Sequence, residues 1–273
     1  MPSNHPTWLL LNSGPCAPAF NMALDEALLE TVSRLGKPVL RFYGWTEPAA
    51  TFGYFQKYAD VEQATPLRPL IRRPTGGGIV PHDADWTYSL AFPQGHEWHL
   101  LKAEESYRRV HEWIQSAFAM LDMVTELASA RKKSITTSGS SRRDEAPYSN
   151  AECGVRNAES SQSQLTTAPT GQCFIGHEKS DVLWQGRKIA GAAQRRNKLG
   201  LLIQGSVQPP PFQKSEVRSQ KSERVAWQKA MCAVGSGEFG IKWSDFEPDA
   251  ALRERTEELV GQKYSQAAYN HNR

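Results

Sequence analysis

Cysteine is scarce in this chain of 273 residues. Cys16, Cys153, Cys173 and Cys232 are widely separated, and no two of them form a CxxC pair. This spacing fits neither a zinc site nor a small disulfide framework. In a reducing compartment all four are expected to be free thiols, and such thiols are commonly small buried apolar residues. Scattered cysteines alone therefore do not identify a nucleophile.

Long apolar runs and strong net charge are also missing. No stretch approaches the roughly 20 apolar residues that span a bilayer. The N-terminus has no basic region, and its apolar run at 8–11 is too short for a signal peptide. The net charge is only +3, and no pattern typical of nucleic-acid-binding modules occurs. We expect a cytoplasmic protein that binds neither membrane nor nucleic acid.

The residues that are present predict a folded protein, since 39% are hydrophobic and 22% charged. Residues 21–35 carry leucines at helical spacing, and Gly36, followed closely by a proline, ends the pattern. Asn21 is predicted to cap this helix. Asp25 and Glu26 then fall early in the helix, where its dipole favours acidic groups.

Short runs bounded by glycine and proline predict β-strands. These runs are residues 39–43, 49–54, 70–73, 86–92, 181–184, 188–194 and 200–207. Residues 86–92 alternate large apolar with small or polar side chains, which predicts a half-buried strand. Gln185-Gly186 predicts a tight hairpin turn. Helices are expected at 104–121 and from about 215 onward, so the pattern predicts an α+β fold around a mixed sheet.

One segment departs from this composition. Of the 42 residues at 129–170, 14 are serine or threonine, and few are large and apolar. Such a segment cannot bury enough surface to offset its ordering entropy. We predict a low-complexity insert here, within a single catalytic domain covering 1–273 that ends in a C-terminal helical appendage from about 215.

The most informative run is RRPTGGGIVPHD at 72–83. Three consecutive glycines let a backbone approach a ligand closely and adopt conformations closed to other residues. Arginines precede the glycines, and a His-Asp pair follows them. The glycines alone are equally compatible with a plain loop, and the spacing is not that of a phosphate-binding P-loop.

Three motifs together resemble the lipoate–protein ligase and octanoyltransferase family: NMALDEALL at 21–29, the 72–83 run with the strand at 86–92, and GRKIAGAAQ at 186–194. They occur in the family's order and separation. The resemblance covers about 8–128 and from 171 to the end. It implies the biotin/lipoate-ligase-type α+β domain, whose mixed, largely antiparallel sheet is flanked by helices, with an acyl chain beside the glycine-rich loop.

The family contains two chemistries. Ligases activate free lipoate with ATP, whereas cysteine-dependent octanoyltransferases and amidotransferases take an acyl group already held by a carrier. Cys173, followed by Phe174, lies 15 residues before Lys188, in the arrangement that resembles the transferases. The Asn-Asp pair typical of ligases at that place is missing. The resemblance therefore implies that Cys173 is the nucleophile; the alternative is a small core residue.

The resemblance also implies roles for other residues. Lys188 resembles the family lysine that would stabilise the oxyanion; by itself a Gly-Arg-Lys run could also be an exposed hairpin. His82 is a candidate general base because imidazole titrates near neutrality, and it could equally be a loop histidine that caps Asp83. His177 is a second candidate base from the sequence alone. Substrate contacts are expected from the following residues: Arg72, Arg73, Thr75, Gly76, Gly77, Gly78, His82 and Gly191.

The expected activity is octanoyl transfer from acyl carrier protein, through a cysteine thioester, to a lysine of a lipoyl domain. Acceptors would be lipoyl domains of 2-oxoacid dehydrogenases or the glycine-cleavage H protein. No metal or cofactor is expected; ATP and magnesium would be needed only by a ligase. An amidotransferase, a ligase, a non-catalytic carrier-binding relative and, distantly, a biotin transferase are the alternatives. A basic rim would attract acidic carriers; its expected members are Arg72, Arg73, Arg187, Lys188, Arg195, Arg196 and Lys198.

Overall fold

The computed structural model describes residues 5–128, 177–209 and 220–272. The predicted insert at 129–170 lies outside these ranges, and so do Cys153 and Cys173.

The described ranges contain strands and helices in alternating blocks. The strands are β1 (Thr7–Cys16), β2 (Val39–Trp45), β3 (Ala49–Phe52), β4 (Leu70–Arg72), β5 (Val80–His82), β6 (Trp86–Pro93), β7 (Glu126–Leu127), β8 (Val182–Trp184), β9 (Arg187–Asn197), β10 (Gly200–Val207) and β11 (Lys242–Asp245). The helices are α1 (Pro18–Leu35), α2 (Tyr58–Ala64), α3 (Glu97–Leu100), α4 (Ala103–Ala119), α5 (Gln220–Glu238), α6 (Ala250–Leu259) and α7 (Ala267–Asn270), with a π-helical turn at Val260–Tyr264.

Eight strands form one sheet in the order β11-β1-β2-β6-β10-β9-β8-β7, and β4-β3-β5 form a second, smaller sheet. In the large sheet β1 pairs in parallel with β11 and β2, whereas the other pairings are antiparallel. The predicted α+β class with a mixed, largely antiparallel sheet is confirmed. The hairpin between β8 and β9 is confirmed as well, since Gln185 and Gly186 form its turn with φ of 50° and 74°.

The prediction for β6 was wrong in one respect. Its seven residues from Trp86 to Phe92 are all buried, so the strand is not half-exposed. One face joins the core that α4 and α5 cover, and the other faces α1, where Ser89 Oγ donates to Asp25. The predicted alternation of side chains is confirmed. Exposure was mispredicted because the same sequence pattern arises whether a polar face is covered by a helix or exposed to water.

Helix α1 begins three residues before the predicted cap. Pro18 occupies the first turn, where its fixed φ suits a helix start, and the preceding Ala17 makes no side-chain cap. Asn21 is fully buried, and its Nδ2 donates to the Gly44 carbonyl oxygen at 2.8 Å. The capping role predicted for Asn21 was therefore wrong. The predicted end is confirmed, since Gly36 has φ of 66° and its N–H donates to Val32.

The C-terminal segment is described from residue 220 and packs on both faces of the large sheet. Trp227 and Met231 of α5 are buried in the core that contains β6 and α4. Leu252 and Leu259 of α6 pack with α1 on the other side. Among the described residues, no helix has the length and apolar character required to cross a membrane.

Candidate functional site

A cleft lies between the glycine-rich loop at 75–78 and strands β9 and β10. Its empty volume is about 440 Å³ when the part open to solvent is included. Small and apolar residues form much of the wall. The lining residues are Met22, Tyr43, Thr51, Arg73, Gly77, Val80, His82, Thr87, Gly191, Ala192, Ala193, Gln204, Gly205 and Ser206.

Arg73 shapes the glycine-rich loop from within. Its guanidinium is buried and donates to the carbonyl oxygens of Gly76 (2.6 Å) and Gly78 (2.7 Å). Gly77 has φ of 88°, and a Cβ at this position would lie 2.9 Å from Arg73 Nη2. A side chain at 77 would therefore strain the backbone and displace the arginine, whereas a Cβ at Gly76 would meet no atom within 4 Å.

The neighbouring Arg72 has a different set of partners. Its guanidinium donates to the carbonyl oxygens of Tyr54 (2.8 Å) and Gln56 (2.7 Å) and, at the C-terminus, to Asn270 (2.9 Å). The Arg72 N–H also donates to Asn270 Oδ1. Arg72 does not line the cleft and instead connects the strand before the loop to α7.

Thr75 connects the loop to a buried polar network. Its Oγ1 donates to Gln204 Oε1 at 2.7 Å, and Gln204 Nε2 donates to Asp25 Oδ2 at 2.7 Å. Asp25 also accepts from Arg41 (2.7 Å), Tyr43 (3.0 Å) and Ser89 (2.7 Å). Burial, and then the adjacent Asp25 carboxylate, raises the pKa of Tyr43 well above its ordinary value, so the phenol stays a donor.

His82 lies on the cleft wall with both ring nitrogens engaged. Nδ1 is 2.9 Å from Asp85 Oδ2, Nε2 is 2.8 Å from Thr51 Oγ1, and the ring stacks on Trp45 at 3.8 Å. Arg73 Nη1 donates to the same Thr51 oxygen, which favours donation from that hydroxyl to Nε2 and a proton on Nδ1. To accept a proton from a substrate, Nε2 would have to exchange its Thr51 hydrogen bond.

Asp85 holds His82 in place through one oxygen. Oδ2 accepts from His82, Thr87 and Ser206, whereas the buried Oδ1 has no hydrogen-bond partner among the described residues. The carboxylate therefore fixes the imidazole between two strands of the large sheet and the end of β5.

Lys188 is buried beside the part of the cleft wall that β9 forms. Its ammonium lies 2.8 Å from Asp181 Oδ2, and the exposed fractions of the two side chains are 6% and 7%. A Cβ on Gly191, a lining residue, would lie 2.7 Å from Lys188 Cε and 2.8 Å from its Nζ. The lysine tip thus lies directly over the glycine that forms the cleft wall.

The predicted basic rim is largely occupied by contacts within the protein. Arg195 Nη1 is 3.8 Å from Glu26, and Arg196 donates to the carbonyl oxygens of Trp98 and His99. Arg187 and Lys198 are exposed.

Of the predicted site residues, the structure brings Arg73, Gly77, His82 and Gly191 to one cleft, with Lys188 against its wall. Cys173 lies outside the described residues, and its role stays a prediction. The sequence analysis did not identify Asp85 and Asp181. It assigned Asp25 to the start of a helix, whereas Asp25 is the acceptor of a buried polar network. An acid within the strongly apolar segment 22–29 was the available signal for Asp25.

The structure is an α+β domain with a cleft between a glycine-rich loop and a lysine-bearing hairpin. Residues 17–211 match the lipoyl protein ligase A/B catalytic domain. The chain belongs to this family.

Relatives include the octanoyltransferase LipM of Anoxybacillus flavithermus, 34% identical over 209 residues. That alignment covers 73% of this chain and 64% of the relative. The octanoyltransferase LipM of Bacillus subtilis is 32% identical over 206 residues, covering 74% of this chain and 65% of the relative. The chain thus spans less than two thirds of the length of these relatives.

Solved structures agree on the fold. A putative lipoate protein ligase from T. acidophilum, with bound lipoic acid, has a TM-score of 0.65 at 18% identity and covers 97% of this chain and 99% of its own. A lipoate-protein ligase A bound with ATP has a TM-score of 0.65 at 19% identity, with 98% of both chains covered.

Proposed function

We propose that this protein is an octanoyltransferase that moves an octanoyl group from acyl carrier protein, through a thioester on Cys173, to a lysine of a lipoyl domain. The observation that carries the proposal is the buried Lys188 ammonium against Gly191, at the wall of a narrow cleft, in a chain similar to proteins named octanoyltransferase LipM. The acceptors would be lipoyl domains of 2-oxoacid dehydrogenases or the glycine-cleavage H protein.

The cleft suits a linear acyl chain. Its wall includes Met22, Val80 and the small residues Gly77, Ala192 and Ala193, which offer apolar surface to a chain of methylene groups. Burial of each methylene stabilises the complex by about 0.8 kcal/mol. A preorganised cation beside the cleft would stabilise negative charge on the acyl oxygen.

Two transfers account for the reaction. The Cys173 thiolate attacks the carbonyl of the octanoyl thioester, and the carrier's thiolate leaves and takes up a proton. The acceptor lysine, as the free amine, then attacks the enzyme thioester. An amide forms, the amine gives up a proton to a base, and Cys173 leaves as thiolate. The donor thioester already stores the free energy, so the reaction needs no ATP, metal or other cofactor.

Lys188 and His82 take different parts in this scheme. Lys188 stabilises the tetrahedral oxyanion in both steps. His82 is the candidate base, with Asp85 holding its Nδ1 side and Thr51 releasing Nε2 when a substrate proton arrives.

Mass spectrometry tests the proposal. The protein incubated with octanoyl-acyl carrier protein, without ATP or magnesium, should gain one octanoyl group that neutral hydroxylamine removes. Adding apo lipoyl domain should move the group to that domain's lysine. Cys173→Ala should abolish both events, whereas Cys16→Ala and Cys232→Ala should leave them intact. An octanoyl group on a cysteine other than Cys173, or no octanoyl group on the protein, would overturn the covalent scheme.

The same assay separates the alternatives. An ATP-dependent ligase would modify the lipoyl domain from free octanoate or lipoate only with ATP, and would tolerate Cys173→Ala. An amidotransferase would require an octanoylated or lipoylated carrier domain as donor. A carrier-binding protein without catalytic activity would leave every mass unchanged.

A pair of neighbouring substitutions tests Lys188. Lys188→Ala should slow octanoyl transfer by roughly 10²–10³, the usual cost of losing one oxyanion donor. Arg187→Ala removes a cation one residue away whose side chain is exposed, and should have little effect. Steady-state rates with saturating donor and acceptor provide the measurement. Equal losses at both positions would contradict the role given to Lys188.

A further inference from the structure

We infer that Asp181 is a positioning residue for acyl transfer: it holds the Lys188 ammonium over Gly191, at the cleft wall, before any substrate binds. The effect of Asp181 on catalysis rests on the proposed function. The position of Lys188 between Asp181 and Gly191 is argued from the contacts alone.

The backbone around Asp181 is fixed on both sides. The Asp181 carbonyl oxygen accepts from Ala128 N–H at 2.8 Å, and Ser180 N–H donates to the Ala128 carbonyl oxygen at 2.9 Å. The side chain is fixed as well, because Oδ2 accepts from Glu178 N–H at 2.7 Å while it contacts Lys188 Nζ. The carboxylate therefore presents a rigid anchor to a lysine that has four rotatable side-chain bonds.

Gly191 provides the space for this contact. The place that its Cβ would occupy is 2.7 Å from Lys188 Cε and 3.4 Å from Asp181 Oδ1. Any side chain there would push the lysine tip away from the carboxylate. Because the lysine end is flexible, such a substitution should move Lys188 while leaving the strand in place.

Two titratable side chains of the described residues, His111 and Tyr88, lie close to Asp181 and are uncharged. Burial lowers the pKa of His111 to about 4, although Asp181 and the Ser180 backbone oppose the change. Burial, and then Asp181, raises the pKa of Tyr88 far above its ordinary value. Both side chains are neutral at neutral pH. The buried ammonium and the buried carboxylate are thus matched in surroundings where water does little to screen them.

The consequence is preorganisation. A free lysine side chain would have to be ordered during each catalytic cycle, whereas a lysine held by Asp181 faces the developing oxyanion with that cost already met in folding. Asp181 itself acts on the reaction through Lys188 and contacts no reacting atom.

Asp181→Asn tests this directly, since asparagine keeps the shape and can still accept from Glu178 N–H. We expect kcat for octanoyl transfer to fall roughly 10–100-fold, as for a misplacement of about 1 Å, with KM nearly unchanged. Gly191→Ala, which keeps both charges, should lower kcat in the same way. Glu104→Gln removes the carboxylate of the exposed pair with Lys179 and should leave both constants unaltered.

A double-substitution cycle separates positioning from a general structural role. In a Lys188→Ala background, Asp181→Asn should cause no further loss of kcat. If the two losses multiply instead, Asp181 acts independently of Lys188 and the inference is overturned.

Chemical modification provides a readout that needs no activity. Reductive methylation followed by peptide mass spectrometry should modify Lys188 at least several-fold faster in Asp181→Asn than in the unaltered protein. Lys229, an exposed lysine of α5, is the internal reference. Faster modification in a protein that shows no octanoyl transfer would support the positioning and refute the proposed function. Full transfer by Asp181→Asn, or unchanged modification of Lys188, would refute the positioning.

Discussion

Two buried carboxylates, Asp25 and Asp181, each pair with a basic side chain, and the partners differ in kind. Asp25 and Arg41 are both fully buried, and Asp25 also accepts from Tyr43 on the strand of Arg41 and from Ser89 and Gln204 on two other strands. Asp181 pairs with a lysine whose tip lies over the glycine of the cleft wall. Arginine's planar fork suits fixed, saturated networks, whereas lysine presents a compact charge on a flexible stem. The first pair connects helix and sheet in the core, and the second places a charge at the cleft wall, where we propose that acyl transfer occurs.

The largest effect is expected from breaking the architectural pair. In Asp25→Asn, four donors would point at a side chain with a single acceptor atom, and Arg41 would lose its counter-charge in the core. The free energy of unfolding should fall by about 3–5 kcal/mol, measured by urea denaturation.

Asp249→Asn is the matched control. Asp249 is half-exposed, pairs with Arg34 and caps α6, a position where asparagine serves as well. A similar loss for the two variants would mean that burial and saturation do not distinguish Asp25.

The surroundings of Asp181 predict a dependence of stability on pH. The pKa of His111 lies below its ordinary value of 6.5, at about 4, because of burial. Between these values the unfolded chain binds a proton that the folded protein does not. Neutral His111 therefore stabilises the fold fully above pH 6.5. As the pH falls from 6.5 to 4, the free energy of unfolding should decrease by about 3 kcal/mol.

His111→Phe should flatten this part of the stability profile, measured by urea denaturation at pH steps from 7 to 4. The exposed His5 offers the comparison, and His5→Gln should leave the profile unchanged. An unchanged slope in His111→Phe would show that the carboxylates account for the whole dependence.

The smallest effect on stability is expected at the loop that the Asp25 network anchors through Gln204 and Thr75. Gly77→Ala places a Cβ at φ of 88° and 2.9 Å from Arg73 Nη2, and should cost about 1–2 kcal/mol together with a clear loss of octanoyl transfer. Gly76→Ala, with open space around its Cβ, should change either quantity little. Reversed effects would mean that Arg73 does not set the loop conformation.

Sequence patterns located most elements of the fold, because apolar periodicity and turn residues are local signals. The hairpin at Gln185-Gly186 and the end of α1 at Gly36 were predicted on that basis and confirmed. The start of α1 was missed because Asn21 has the chemistry of a cap and is used instead as a buried donor. The asparagine side chain can serve either as a helix cap or as a buried donor. The packing of β2 against the helix makes Asn21 a buried donor.

For the site, the glycine-rich run and the Gly-Arg-Lys strand were recognisable from sequence, and residues from both meet at one cleft. The two adjacent arginines were not separable, since nothing local distinguishes Arg72 from Arg73. Their partners lie at very different separations along the chain: Asn270 is 198 positions from Arg72, whereas Gly76 is three residues after Arg73. Nothing in the sequence indicated that Asp181 pairs with Lys188; the folded hairpin brings the two side chains together.

What the sequence by itself determined is the set of segments with their own conformational preference: glycines for tight backbone, alternating strands, and an amphipathic α4. The tertiary structure alone decided which polar groups are buried and what neutralises them. Burial of a charge depends on every element packed around it, and its partner need not be near in sequence. Asp25 with Arg41 and Asp181 with Lys188 were therefore fixed only when helix, sheet and hairpin came together.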